Sequence, residues 1–154
     1  MRKQRWIWHL LLGLYICFLF SNSLTPAAQS SEASGRALQL MHQLLSFVGV
    51  QALWLTEHVL RKCAHFAEYT VLGLLLSQNF RLLSCPFSSK ALLHILSGFL
   101  IPFVDETLQL FTEGRSGQIS DVWLDSCGVW AGTMLFLCLF LMWKRWRRSR
   151  EQQT

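Results

Sequence analysis

The chain has 154 residues, of which 52% are hydrophobic and only 15% charged. That length holds one domain at most, and the apolar content excludes a disordered chain. The charge also falls short of the quarter or so usual in soluble domains, so the composition is that of a small multi-span membrane protein.

The formal charge of +5 arises from 14 Lys and Arg against 9 Asp and Glu. A nucleic-acid binder would spread its basic residues over one face or a recognition helix. Here Arg2, Lys3 and Arg5 precede the first apolar run, and Lys144, Arg145, Arg147, Arg148 and Arg150 follow the last. That placement is an orientation signal, and no nucleic-acid partner is expected. The five Cys form no CxxC pair and read as small apolar fillers, with no disulfide framework or zinc site.

The first predicted span covers residues 6–22, free of charge and bounded by Arg5. A bilayer core needs about 20 mostly apolar residues, and somewhat fewer are tolerated. A cleaved signal peptide is the rival reading, but Pro26 in Pro26-Ala27-Ala28 fits a small-x-small cleavage site poorly. Residues 25–35 are small and polar and read as loop. Within 37–53, Leu38, Met41, Leu44, Leu45 and Val48 recur at helical spacing while Gln39, His42, Gln43 and Ser46 take other faces. This predicts an amphipathic helix lying on the membrane or re-entering it.

The second predicted span, 59–80, carries Arg61, Lys62, His65 and Glu68 in its first third. A turn at 84–89 contains Pro86. The third span, 91–111, has Asp105, Glu106 and Gln109 near its end, with Pro102 expected to bend it just before them. A tight loop with two glycines, 113–118, leads to the fourth span, 121–143. The expected fold is a single all-α membrane domain over 1–154: a four-span transmembrane helix bundle with an additional amphipathic helix in the first outer loop. Trp6 and Trp8 open the first span, while Trp143 and Trp146 close the last, as in interfacial aromatic belts. Four spans place both basic tails, Arg81 and Lys90 on the cytoplasmic side.

This topology gathers the remaining charges at one depth. Arg61, His65 and Glu68 share a helix face, as do Asp105 and Gln109. Asp121 and Asp125 share another, continued by Gly128 and Gly132, a small-xxx-small run that permits close helix contact. Ser21, Asn22 and Ser23 close the first span at the same end. Ionisable groups inside a membrane are costly and mark a function by default. A structural ion network is the bland alternative, but it gains little stability against its desolvation cost. His9, His42, His58 and His94 lack such a setting and read as structural or interfacial.

The same residues carry a resemblance. Phe20-Ser21-Asn22-Ser23, the run from Arg61 to Tyr69, Asp105-Glu106-Thr107-Leu108-Gln109, and Gly114-Arg115-Ser116-Gly117 followed by Asp121 and Asp125 occur in order. In this set the chain resembles the VanZ-like family of small bacterial membrane proteins, over about 6–137. The resemblance implies a multi-pass protein of the bacterial cell membrane and a role in the cell envelope. The family is named for a member linked to low-level teicoplanin resistance, and it supplies no established reaction.

Three function classes compete. The first is an outer-leaflet site for an anionic lipid or lipid-linked envelope intermediate. Arg61, Lys62 and Arg115 would hold a phosphate, with Gln109, Ser21 and Ser23 as further binding residues. His65, Glu68, Asp105 and Asp121 are the catalytic candidates, His65 for proton transfer. Whether chemistry occurs is left open, as is the cofactor. A divalent metal is compatible with the carboxylates, with Glu106 and Asp125 as ligand candidates. The second class is a non-catalytic binding or scaffold protein, and the third a transporter, for which the charge-poor inner halves of the spans offer no polar path. The expected partners are the bilayer and a lipid head group. Oligomeric state is not legible.

Overall fold

The computed structural model describes residues 2–50 and 52–151. Gln51, within the range predicted for the amphipathic helix, and the side chains of Arg2, Lys3 and Gln4 lie outside the described residues. Among the described residues the chain is all-helical: α1 (Arg2–Ser23), α2 (Ala27–Phe47), α3 (Glu57–Leu82), α4 (Phe87–Gln109) and α5 (Ile119–Glu151).

Local chemistry sets the boundaries. Pro26 and Pro86, with no N–H to lose, stand just before α2 and α4. Thr56 caps α3, its hydroxyl accepting from the Val59 N–H, with Glu57 in the first turn. α2 ends in a Schellman motif. Val50 N–H reaches Leu45 O at 2.8 Å, Gly49 N–H reaches Ser46 O at 3.0 Å, and Gly49 takes the positive φ of 81° this motif requires.

Two expectations need correction. Residues 25–35, read as loop, form the first half of α2 from Ala27 onward. Their alanines favour helix, and Glu32 pairs with Arg36 one turn on. The second concerns the number of spans. Three helical segments are long and apolar enough to cross a membrane, not four: Arg5–Ser23, Phe87–Gln109 and Ile119–Glu151. α3 has the length but not the composition. Arg61, Lys62, His65 and Glu68 near its start, and Gln78, Asn79 and Arg81 near its end, dilute its Leu-rich middle.

α3 is nevertheless the central element, packing against all four other helices. Its main partner is α5, which runs parallel to it. At the crossing, glycines replace side chains. A Cβ added to Gly132 would stand 2.0 Å from Thr70 O, one on Gly128 2.7 Å from Phe66 O, and one on Gly73 2.2 Å from Val129 O. Only hydrogen at these Cα atoms lets the two backbones touch. The core is correspondingly small: Leu19, Tyr69, Leu72, Leu76 and Val129.

α1 lies antiparallel to α3 and is fastened to it at two levels. Asn79 Nδ2 donates to Trp8 O at 3.1 Å, and Tyr15 Oη donates to Glu68 O at 2.9 Å. α4 runs unbroken through the buried Pro102. Leu10, Leu14 and Phe18 of α1, Leu92, Leu96 and Leu100 of α4, and Leu135, Leu139 and Met142 of α5 face outward. Apolar surface on this scale suits hydrocarbon and not water. At the end of α5, Arg147 and Arg150 lie over the rings of Trp143 and Trp146.

Candidate functional site

The C-terminal ends of α1 and α4 meet the N-terminal ends of α3 and α5 at one end of the bundle, and the chain's polar residues converge there. Ser23 Oγ donates to Asp105 Oδ2 at 2.6 Å, both residues being fully buried. Asn22 Nδ2 donates to Glu68 Oε1 at 3.2 Å. Lys62 Nζ donates to Asp121 Oδ1 at 2.6 Å. His65 Nδ1 lies 3.8 Å from Asp125 Oδ2, near enough for attraction but too far for a hydrogen bond.

The loop between α4 and α5 closes this end. Glu106 is buried and spends both carboxylate oxygens on bracing: Oε1 accepts from Gln109 Nε2 and Oε2 from the Gln118 N–H, each at 2.9 Å. Gly117 permits that contact, since a Cβ there would stand 2.3 Å from Glu106 O. Thr112 Oγ1 donates to Ser23 O at 3.2 Å. Arg115 reaches back to the end of α1, donating through Nε to Thr25 O at 2.8 Å and through one terminal nitrogen to Asn22 O at 3.1 Å. Burial first, and the neighbouring Arg61 charge second, hold its guanidinium below the usual value. It remains a cation at physiological pH.

Two cavities open here. A smaller one of about 160 Å³ is lined by Arg61, Lys62, His65, Glu106, Gln109, Arg115, Asp121 and Asp125, among others. A larger one of about 400 Å³ lies between α2 and α3, with Asn22, Arg61, His65, Glu68 and Arg115 on its wall. Arg61, His65 and Arg115 belong to both. Among the described residues Arg61 has no hydrogen-bond or ion-pair partner. Asp125 has none for hydrogen bonding at either carboxylate oxygen, and Asp105 none at Oδ1.

The structure thus brings together Ser23, Arg61, Lys62, His65, Glu68, Asp105, Glu106, Gln109, Arg115, Asp121 and Asp125. It leaves Ser21 aside: that residue is exposed, and its hydroxyl donates to Cys17 O and Phe18 O of its own helix. Sequence reasoning missed the contribution of α2. Gln29, Ser30, Ala33, Ser34 and Ala37 line the larger cavity, a small-residue face at helical spacing in a segment read mostly as loop. It also missed His58, one turn ahead of Arg61 and Lys62, on the wall of the smaller cavity. The i, i+3 and i, i+4 spacing to Arg61 and Lys62 carried that signal. His42 and His94 are engaged elsewhere, with Leu55 O and Thr133 Oγ1.

No curated protein and no solved structure matches the chain. A family profile described as VanZ/LLP1 matches residues 6–144. That stretch takes in every element of the site, from Ser23 on α1 to Asp125 on α5. The chain belongs to the VanZ/LLP1 family.

Proposed function

We propose that this membrane protein binds the anionic head group of a lipid, or of a lipid-linked envelope intermediate, in the paired cavities at the polar end of the bundle. One observation carries the reading: Arg61 and Arg115 line both cavities, and Arg61 is unpaired although carboxylates surround it. Three of those carboxylates are engaged elsewhere, Asp121 with Lys62, Glu68 with Asn22, and Glu106 with Gln109 and Gln118. A free guanidinium such as that of Arg61 matches phosphate oxygens, and Arg115 has N–H groups beyond the two it gives to the carbonyls of Thr25 and Asn22. The small-residue face of α2 leaves space for what the phosphate is attached to.

The topology belongs to the same proposal. α3 crosses the membrane beside α5, its polar residues turned to partners and cavities, which makes four crossings. The positive-inside rule then puts both tails in the cytoplasm and the cavities in the outer leaflet. If the bound molecule is a lipid-linked wall precursor, expression of the chain changes teicoplanin susceptibility.

A purely structural ion network accounts for the Lys62–Asp121 pair and for the bracing of Glu106. It leaves Arg61 and Asp125 unexplained. The test is head-group binding by purified protein in nanodiscs, comparing phosphatidylglycerol and undecaprenyl phosphate with phosphatidylcholine. Both anionic lipids should be retained over the zwitterionic one. Arg61→Gln and Arg115→Gln should each weaken retention by roughly tenfold or more, the worth of a charge-assisted hydrogen bond. Arg36→Gln should not. Equal retention of all three lipids by the native chain sinks the proposal.

A further inference from the structure

We propose that His65, Asp105 and Asp125 form a divalent-cation site where α3, α4 and α5 meet. Each of the three helices supplies one residue, and one donor atom from each lies within 4.8 Å of the others. Asp105 is 1% and Asp125 0% exposed. Among the described residues only Asp105 Oδ2, of their four carboxylate oxygens, has a hydrogen-bond donor, Ser23 Oγ. Asp105 Oδ1 and both oxygens of Asp125 have none.

A buried carboxylate without a donor bears its full desolvation cost, and two ionised ones at close range repel. Among the described residues no cationic side chain donates to these oxygens. Lys62 is committed to Asp121, and Arg115 to the carbonyls of Thr25 and Asn22. His65 Nδ1 stands 3.8 Å from Asp125 Oδ2. That gap is long for a hydrogen bond but normal for two ligands of one ion, each at about 2.0–2.2 Å from it.

The donor set points to the class of ion. Mg²⁺ and Ca²⁺ favour oxygen alone. One imidazole with two carboxylates suits a borderline ion such as Zn²⁺ or Mn²⁺. Three protein ligands leave a coordination position open, as catalytic rather than structural zinc sites do. His65 and Asp125 also line the smaller cavity, so the open position faces it. That the vacant position would accept a phosphate oxygen rests on the head-group reading above. The cation site itself does not.

The test uses the full chain purified in detergent, free of added lipid, stripped with a chelator and desalted. Zn²⁺ and Mn²⁺ are then titrated separately by calorimetry, with retained metal counted by elemental analysis. One ion per chain is expected, accompanied by a rise in melting temperature. Co²⁺ in the same site should give a visible absorption spectrum that His65→Ala alters. Asp125→Asn and His65→Ala should each lose more than about tenfold in affinity, at least the cost of losing an outer hydrogen-bond partner. Glu32→Gln, at an exposed carboxylate paired with Arg36 and outside both cavities, should bind as the native chain does. Absence of a retained ion in the native chain overturns the site. So does affinity unchanged in both ligand variants, and the native-chain measurement decides even if a variant fails to fold. Metal binding without preference for anionic lipid would leave the cation site standing and remove the head-group reading; the reverse result would do the opposite.

Discussion

Ser21 and Ser23 stand two positions apart in one motif, yet they face opposite surroundings. Ser21 is exposed and bonds back to its own helix, while Ser23 is sealed against Asp105. Ser23→Ala removes the one donor that the buried Asp105 carboxylate has among the described residues. It should cost about 1–3 kcal/mol, read as a lowered melting temperature of the purified protein. Ser21→Ala should stay within about 0.5 kcal/mol of the native chain. The sequence shows that both serines lie near the end of an apolar helix. It does not show which one turns inward, because that depends on how α1 is rotated against α3 and α4. Charged residues are easier to read: a carboxylate in an otherwise apolar run stands out, so Asp105, Glu106 and Asp125 were legible as site residues. Thr112 was not, since it resembles an ordinary loop residue until its neighbours are known.

At the scale of elements, the contact between α3 and α5 rests on three glycines. Two of them, Gly128 and Gly132, were legible from their spacing along a face shared with Asp121 and Asp125. Gly73 was not, because it stands alone in a leucine-rich run, and only the crossing shows that it meets Val129 O. Gly132→Ala forces a Cβ toward Thr70 O and should separate the helices, at a cost of about 1–3 kcal/mol by denaturation in detergent. Gly13 meets nothing within 4 Å. Gly13→Ala should therefore gain up to about 1 kcal/mol from helix propensity alone. A shift of the same sign and size in both variants would show that close approach at Gly132 is unimportant. α2 makes the complementary point. Alanines and serines over its first half look like loop in a hydropathy pattern, and its status as a cavity wall comes from the helix it faces.

For the whole molecule, the decisive issue is how many helices cross. Three pass on apolarity, and α3 does not. If α3 crosses with them, the turn before α4 and the loop before α5 face opposite sides, with the turn in the cytoplasm. In a chain whose native cysteines are replaced, Ser116→Cys should be labelled by an impermeant maleimide in intact cells. Ser89→Cys should need permeabilised cells. Three crossings would invert the pattern. Hydropathy made α1, α4 and α5 legible as spans. It does not select α3, whose polar residues meet other helices and cavities.

The parallel contact of α3 with α5 also constrains how the protein is made. α3 is complete at Leu82, whereas α5 begins only at Ile119. During synthesis α3 is therefore exposed to the insertion machinery before its main partner exists. Its charged half has no glycine-lined surface to dock on until α4 and most of α5 have followed. If α3 crosses the membrane, it is therefore a late entrant, drawn in by α5. The site can be assembled only once nearly the whole chain has left the ribosome.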